Sequence, residues 1–355
     1  MPTKPILLVL DDVDHRDQLE ALAGSPDWFF PGSLIIFTGK DKQLLRSHKV
    51  DEIYNMPFLL DREAYELFCL YAFGKTQHGE AFEELAYQVM KYLQGHPLAL
   101  KVMGCFLYDK PIRVWKSEVD RLQAYPNAEI QKKLRPSFDG LDFDQKRIFL
   151  DISCSFIGEY KDFVANVLDS DDCFADASIE VLVDKSLISI SQYDNSLQMH
   201  ELIRSMAREI VREESNSPGI RSRLWILSDV QNVLNENKAT ETIEVLDLLR
   251  EESSQKVHID GKAFAHMKNL RILKICDKKL VKFRCPFDLK LWKASKVNYS
   301  GRLEFLSNKL RLFYWHGCIF KFFPSDFYPE NIVAIDLSYS RIENLWTTPK
   351  CFRRN

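Results

Sequence analysis

The sequence has 355 residues, of which 46% are hydrophobic and 28% are charged, and this composition is typical of a folded globular protein rather than a disordered one. A chain of this length is expected to form roughly two to four domains. The 51 acidic and 48 basic residues give a net charge of −3, so no global basic excess draws the chain onto nucleic acid or an anionic membrane.

Eight cysteines are scattered along the chain without a CxxC pair, and most of them lie within apolar segments. This usage is typical of a reducing compartment and argues against both a disulfide framework and a zinc site. The N-terminus lacks the pattern of a signal peptide, and no apolar run has the length needed to cross a bilayer. We therefore predict an intracellular protein.

The first apolar run, Ile6 to Leu10, is followed directly by Asp11 and Asp12. Five apolar residues in a row predict a strand that is covered on both faces, and its C-terminal end is where open α/β sheets bind ligands. A hydrophobic strand ending in aspartate is the Walker B arrangement of P-loop nucleotide hydrolases, in which the first carboxylate holds Mg²⁺. An ordinary buried strand with an acidic turn explains the same residues and remains an alternative.

The next segments alternate between helix and strand, which indicates a parallel sheet with crossovers. The chain contains no match to the glycine-rich GxxxxGK[ST] loop that cradles phosphates. The predicted elements are a helix at Asp14 to Leu22, a strand at Leu34 to Phe37 that ends in the polar run Thr38 to Asp41, a helix at Lys42 to His48, and a third strand at Glu52 to Met56.

From Asp61 to about Leu122, apolar residues recur at intervals of three and four, and this period predicts amphipathic helices packed into a small bundle. Between two of them, Gly95 ends one helix and Pro97 opens the next. The predicted buried positions include Leu67, Phe68, Tyr71, Ala72, Phe82, Leu85, Ala86, Val89, Leu93, Trp115, Val119 and Leu122.

Residues 136–215 form a further unit, in which helices precede a hairpin with strands at Leu187 to Ser191 and Leu197 to Met199, and a helix from His200 to Val211 follows. This order predicts a winged-helix domain. DNA binding is the usual function of such a domain, but the expected recognition helix, Asp176 to Lys185, carries three acids and one base.

Beyond a connector at Glu213 to Lys238 with a short helix near Val230 to Leu234, three segments fit the core of a leucine-rich repeat. These segments start at Leu270, Leu310 and Ile332. We expect Trp315 and Trp346 to lie in the repeat core, fraying towards Asn355, and a solvated face containing Lys268, Lys274, Lys278 and Lys279.

Seven short runs follow one another in a fixed order: Lys4 to His15, Gly32 to Asp41, Gly95 to Leu100, Phe149 to Cys154, Met199 to Glu201, Arg221 to Trp225, and Pro329 to Trp346. Together they resemble the TIR-type class of plant nucleotide-binding, leucine-rich-repeat (NB-ARC–LRR) disease resistance proteins. The first five are similar to that family's kinase-2, sensor-1, GxPLAL, FLDIACF and MHD motifs.

The resemblance implies an ADP/ATP switch with Mg²⁺. Within it, Asp11 serves Mg²⁺ and Asp12 polarises the attacking water as the catalytic residue. Lys40 stands where the family has an arginine that reads the γ-phosphate. Pro97 packs near the adenine, and His200 holds the β-phosphate of ADP. Helix initiation by Pro97 and helix capping by His200 explain those two residues without a ligand.

The implied fold class is multidomain α/β plus α. The implied domains are the C-terminal half of a P-loop nucleotide-binding domain at 1–57, a helical bundle at 58–135, a winged helix at 136–215, a linker at 216–260, and partial leucine-rich repeats at 261–355. On this interpretation the TIR domain and the P-loop precede Met1. The strands at 6–10 and 34–37 then lack the neighbour they share in the family, and either pair with each other or stay loosely ordered.

We therefore expect a fragment of an intracellular immune receptor for pathogen perception, acting in the cytoplasm or nucleus. Its leucine-rich repeats are expected to bind a pathogen effector or a guarded host protein, with other immune receptors as further partners. Alone, the chain is expected to bind ADP or ATP poorly and not to turn nucleotide over. The alternatives are a non-catalytic protein or decoy that pairs with full-length receptors, and a winged-helix DNA binder.

Overall fold

A computed structural model describes residues 4–74, 79–124, 127–169, 174–250, 257–277 and 297–343. By its internal contacts the chain divides into two units. The first contains residues 1–146 and 176–206, and the second contains residues 147–175 and 207–355.

The first unit begins with a two-stranded parallel sheet of β1 (Leu7–Val13) and β2 (Leu34–Gly39). Leu7 lies opposite Leu34 and Leu10 lies opposite Phe37, so the two strands pair directly. This is the first of the two arrangements left open by the sequence. The predicted third strand at 52–56 is wrong, because those residues lie in neither a helix nor a strand. An extended segment becomes a strand only when its backbone pairs with a neighbour.

The prediction that the first strand is covered on both faces is also wrong. Leu7 is 65% exposed and Val9 is 53% exposed, and Leu34 and Ile36 of β2 are exposed as well. The alternate residues, such as Leu8, are only half-buried. Because successive side chains of a strand point to opposite faces, this small sheet presents one largely apolar face to solvent.

The rest of the first unit is mainly helical, as the periodicity predicted. Phe68, Leu93 and Trp115 are fully buried in its core, and the Trp115 indole donates to the Leu107 carbonyl at 3.1 Å. Leu67, Tyr71 and Phe82 are half-buried rather than buried. The helices are α1 (Arg16–Ala23), α2 (Lys42–Ser47), α3 (Asp61–Ala72), α4 (Glu80–Leu93), α5 (Pro97–Leu107), α6 (Ile112–Ala124) and α7 (Ala128–Asp139).

The segment predicted to be a winged helix has the expected order of helices, hairpin and helix. The hairpin strands pair antiparallel, with Ser189 opposite Gln198. The chain passes between the two units within three of its helices. The elements are α8 (Phe143–Asp151), a π-helical turn (Ile152–Phe156), α9 (Lys161–Leu168), α10 (Ala175–Asp184), β3 (Ser189–Ile190), β4 (Leu197–Gln198) and α11 (Glu201–Glu213).

The second unit is built on a five-stranded parallel sheet in the order β11-β10-β8-β6-β5, with a separate parallel pair β7-β9. Three of its strands, β5, β6 and β7, lie within residues 216–260, the range assigned to a linker. The elements are β5 (Arg223–Leu224), α12 (Leu227–Asn235), β6 (Val245–Arg250), β7 (Val257–Asp260), β8 (Ile272–Asp277), β9 (Val297–Ser300), β10 (Leu312–Trp315) and β11 (Ala334–Asp336).

The apolar positions of the three predicted repeat segments pack into one core. Leu273, Phe313 and Trp315 are buried in it, and Ile335 packs against it. The prediction for Trp315 is therefore confirmed. Trp346 and Asn355 lie outside the described residues.

A buried ion network joins two of the sequence runs quoted above. The Arg223 guanidinium donates to Asp151 at 2.7 Å, and Arg271 donates to the other oxygen of Asp151 at 3.0 Å. The side chain of Asp151 is only 1% exposed. Burial alone raises the pKa of Asp151, but the two arginines outweigh it and hold that pKa below its usual value. The run Phe149 to Cys154 and the run Arg221 to Trp225 therefore meet at one carboxylate.

Lys274 is not part of a solvated face, and that prediction is wrong. Its ammonium donates to the Ser155 carbonyl at 2.6 Å and lies 4.4 Å from the centre of the Phe156 ring. Across the sheet the register aligns Asp247, Lys274, Tyr314 and Asp336 in one row. The first two are buried and the last two are half-exposed. Lys268 is exposed as predicted, whereas Lys278 and Lys279 lie outside the described residues.

Candidate functional site

The carboxyl ends of β1 and β2 bring Asp11, Asp12 and Lys40 together, as the sequence predicted. The Lys40 ammonium lies 3.6 Å from the Asp12 carboxylate, and both side chains are 75% exposed. Asp12 has a left-handed backbone, with φ of 54°, beside an irregularity in the strand register. Aspartate is one of the few residues with a side chain that adopts this conformation readily.

Thr38 links the two aspartates, a role that was not predicted. Its hydroxyl donates to the Asp11 carboxylate and accepts a hydrogen bond from the Asp12 backbone N–H at 2.9 Å. Two carboxylates and a hydroxyl at one strand edge fit the hard oxygen ligands that Mg²⁺ takes from protein, with phosphates and water completing its shell. No group of three or more His, Cys, Asp or Glu side chains suited to a metal occurs within the described ranges.

Pro97 occupies the first position of α5, where proline favours helix initiation. His96 caps this helix, because its Nδ1 accepts from the Ala99 N–H at 3.4 Å. The turn before it depends on Gly95, which has φ of +73°. A Cβ at that position would lie 2.3 Å from the Leu59 carbonyl oxygen. Glycine is therefore required for both its conformation and the close approach of residue 59.

His200 lies immediately before α11 and caps it, because its Nδ1 accepts from the Leu202 N–H at 3.1 Å. The Gln94 side chain accepts from the Glu201 N–H at 3.1 Å, so the start of α11 is fixed to the turn before α5. Since Nδ1 of His200 accepts, the proton of the neutral ring is on Nε2. That Nε2 is buried and makes no hydrogen bond to a described residue.

The environment of His200 keeps its ring neutral. Burial, and then the neighbouring His96, lower its pKa from an ordinary 6.5 to about 4. The Gln94 backbone favours the charged ring to a smaller extent, although its geometry does not satisfy a hydrogen bond to Nε2. At neutral pH, His200 therefore offers an uncharged N–H donor that has no hydrogen-bond acceptor among the described residues.

Lys40, His96 and His200 line one cleft of about 2420 Å³ in the first unit. Phe58 also lines this cleft, with its ring centre 4.4 Å from that of His200. Asp11, Asp12 and Pro97 are not among the lining residues, and the strand-end acids are connected to the cleft through Thr38 and Lys40, which do line it. Six lysine and arginine side chains and four aspartate and glutamate side chains line the cleft. This balance favours an anionic ligand.

With this geometry defined, the chain can be compared with known proteins. Residues 142–215 match the family model described as the winged-helix domain of Roq1-like disease resistance proteins. The chain is 38% identical to the disease resistance protein RUN1 of Vitis rotundifolia over 97% of its length, and 36% identical to the TMV resistance protein N of Nicotiana glutinosa over 98%. It is also 36% identical to the disease resistance protein RPP2B of Arabidopsis thaliana over 98%.

The chain is homologous to plant disease resistance proteins. It spans 26% of the first of these relatives and 28% of the other two. The match confirms that the chain contains a winged-helix domain, over residues 142–215. No helix in the described part of the chain combines the length and the apolar character that a membrane span requires.

Proposed function

We propose that this chain acts in plant pathogen perception and defence signalling as part of an ADP/ATP-switched, TIR-type immune receptor. The observation that carries this proposal is the buried, unpaired Nε2–H of His200 in a cleft that Lys40 also lines. A buried donor without an acceptor is costly, and a phosphate oxygen would supply that acceptor. The resting state is then the ADP-bound one, because His200 holds the β-phosphate.

For the remaining predicted residues we propose the roles that the family resemblance implies. Asp11 holds Mg²⁺, Asp12 orients the attacking water, and Lys40 contacts the terminal phosphate as a point charge. Mg²⁺, when bound, neutralises charge on the phosphates. Pro97 sets the start of α5, and we propose that its ring borders the adenine. Replacing ADP by ATP changes which conformation the phosphate contacts favour.

Partner recognition is proposed for the parallel sheet of the second unit, as the beginning of a leucine-rich-repeat array. Tyr314 and Asp336 are half-exposed on one row of this sheet, where they are available to a pathogen effector or a guarded host protein. We place the protein in the cytoplasm or nucleus. DNA binding by α10 is disfavoured, because Asp184 pairs with Arg46 at 2.7 Å and Lys185 lies 3.5 Å from Asp41.

A chimera tests the nucleotide switch. The region upstream of the matched segment in RUN1, with its nucleotide-binding loop, is joined to this chain, and ADP affinity is measured by calorimetry. His200→Asn keeps a capping side chain but removes Nε2, so we expect ADP affinity to fall about tenfold. His266→Asn, at an exposed histidine of the second unit, is the matched control. Equal affinities for the two variants would contradict the proposal.

The chain without that upstream region should bind ADP only weakly, because it contains no GxxxxGK[ST] loop. Calorimetry of the purified chain checks this expectation. Low-micromolar affinity would refute it.

A second candidate function is non-catalytic pairing with a full-length receptor, and the exposed apolar face of β1 and β2 favours it. Leu7, Val9 and Leu34 are exposed there, and such a face suits a protein partner. Co-expression with a full-length relative followed by size-exclusion chromatography tests this function. Val9→Lys should abolish a genuine complex, and an unchanged complex would show that this face is not the contact.

A further inference from the structure

His96 is a second histidine beside His200, and no role was predicted for it. The two ring centres are 5.7 Å apart in an edge-to-face arrangement. Both rings line the same cleft. Each uses Nδ1 to accept a backbone N–H, from Ala99 in one case and from Leu202 in the other. In both neutral rings the proton is therefore on Nε2, and the pair supplies two N–H donors.

The two histidines also mark the starts of two helices. Helix α5 has 11 residues and helix α11 has 13, and the Gln94 side chain ties their N-termini together through the Glu201 N–H. Each helix start carries a partial positive charge from the helix dipole, so an anion near both is stabilised by each. The start of α5 has no acidic residue in its first turn, whereas α11 begins with Glu201, whose carboxylate lies 3.9 Å from the Arg204 guanidinium and accepts from the Ser205 hydroxyl.

Phe58 completes the arrangement. Its ring centre lies 4.4 Å from that of His200 and 5.7 Å from that of His96. The Leu59 N–H donates to the Gly95 carbonyl at 3.0 Å, which fixes the backbone beside Phe58 against the turn before α5. An aromatic ring against both imidazoles excludes water from that side and strengthens hydrogen bonds made on the other.

Burial also lowers the pKa of His96. Both rings are therefore neutral near pH 7, and neither repels the other as a cation. Two neutral N–H donors beside two helix N-termini match a group that is rich in acceptor oxygens and carries its own negative charge, which describes a phosphate.

We infer that His96 is a second phosphate-binding residue of this cleft, donating from Nε2 to the same diphosphate that His200 contacts. The inference rests on the proposed nucleotide function and extends it, because it assigns a ligand contact to the residue before Pro97. It also separates two roles of the turn: His96 contacts phosphate, and Pro97 initiates the helix.

The full chain is tested by NMR with ¹⁵N-labelled histidine, using ADP, AMP and inorganic pyrophosphate as probes up to millimolar concentration. Before any ligand is added, the His96 and His200 rings should show the Nε2–H form. Pyrophosphate and ADP should shift both imidazole signals along the same titration curve, whereas AMP should shift them far less. This measurement requires no substitution, so it does not depend on the folding of a variant.

Substitution then isolates the contribution of His96. Asparagine is a good helix cap, so His96→Asn should keep α5 while removing the Nε2 donor. We expect about a tenfold loss of ADP and pyrophosphate affinity and little change for AMP. The matched control is His15→Asn, which alters the histidine at the cap position of α1, outside the cleft lining. The double variant with His200→Asn should lose less binding free energy for ADP than the two single variants lose in sum.

Three results would overturn the inference. If the unaltered chain shows no shift with ADP or pyrophosphate, both the phosphate cleft and the role of His96 are wrong. If His200 shifts while His96 does not, or if His96→Asn binds pyrophosphate as well as His15→Asn does, the role of His96 is wrong and the proposed function stands. Equal losses for ADP and AMP would show that His96 acts on the base or on the fold instead.

Discussion

Two groups of charged side chains, one in each unit, show how burial changes what a carboxylate does. Asp12 and Lys40 lie 3.6 Å apart with both side chains mostly exposed, whereas Asp151 accepts from Arg223 and Arg271 at 2.7 and 3.0 Å out of contact with solvent. An exposed pair contributes little to stability, because water screens it. A buried carboxylate between two guanidiniums holds the fold, since removal of one charge leaves the others uncompensated.

The largest expected effect is at Asp151. Asp151→Asn keeps the shape of the side chain but leaves the buried Arg223 without a counter-charge and Arg271 with Glu244 alone, so the free energy of unfolding should fall by about 3–5 kcal/mol. Urea denaturation monitored by circular dichroism measures this change. Asp12→Asn is the control and should cost less than about 1 kcal/mol. If both variants lost a similar free energy of unfolding, the buried and the exposed carboxylates would not differ in their contribution to stability.

A smaller effect is expected at Arg223. Its guanidinium contacts Asp151, the Ser222 hydroxyl and the Arg147 carbonyl, and a lysine ammonium cannot reach all three in that planar arrangement. Arg223→Lys should therefore lower the free energy of unfolding by about 2 kcal/mol. Thermal and urea unfolding measure the loss. A fully stable variant would show that the charge alone, and not the fork geometry, satisfies Asp151.

The environment of His200 predicts that the free energy of unfolding depends on pH. Its folded pKa of about 4 lies below its ordinary 6.5, so between these values the unfolded chain binds a proton that the folded chain does not. The contribution of His200 to the free energy of unfolding is therefore fully present above pH 6.5, and it is lost as the pH falls from 6.5 towards 4. After allowance for partial exposure of the ring, we expect about 1 kcal/mol of lost stability between pH 7 and pH 5.

His200→Asn should reduce that pH dependence, as measured by urea denaturation across the same range. The network around Asp151 should contribute nothing to it, because the pKa of that carboxyl is held below its usual value and its stabilisation is lost only in stronger acid. An equal pH dependence with and without His200 would contradict the assignment.

The smallest effect on stability is expected at the exposed pair of Asp12 and Lys40. Lys40→Gln should change the free energy of unfolding by less than about 0.5 kcal/mol, and added salt should reduce even that difference. In the chimera, the same variant should weaken ATP binding more than ADP binding, because Lys40 is proposed to contact the terminal phosphate. Equal loss for both nucleotides would refute this role.

Local sequence patterns predicted the helices, the hairpin and the winged-helix segment, because helical periodicity, caps and turn residues act over a few neighbours. Strand pairing was harder to predict from local sequence, because it depends on which distant segments come together in the fold. Residues 52–56 are apolar and polar in alternation but pair with no strand, and β1 and β2 leave apolar residues exposed. The meeting of Asp11, Asp12 and Lys40 followed from the rule that parallel strands end at one edge.

Other contacts required three-dimensional information. In sequence Lys274 looks like any surface lysine, but its ammonium donates to the carbonyl of Ser155, which lies 119 residues earlier in the chain. Asp151 and Arg223 were both inside quoted runs, yet nothing in the order of the runs showed that they touch. For His96, the residue before Pro97, no role was predicted. A histidine directly before a helix-initiating proline was the available signal, since it places an imidazole at a helix start.

The row formed by Asp247, Lys274, Tyr314 and Asp336 has a consequence for sequence diversification. Replacement of either buried member would disturb folding, whereas the half-exposed Tyr314 can change the chemistry that the sheet displays at less cost; Asp336 is also half-exposed but accepts from the Ser338 N–H at 2.9 Å and lies 3.0 Å from His316. Related sequences should therefore vary more at the β10 and β11 end of this row than at the β6 and β8 end.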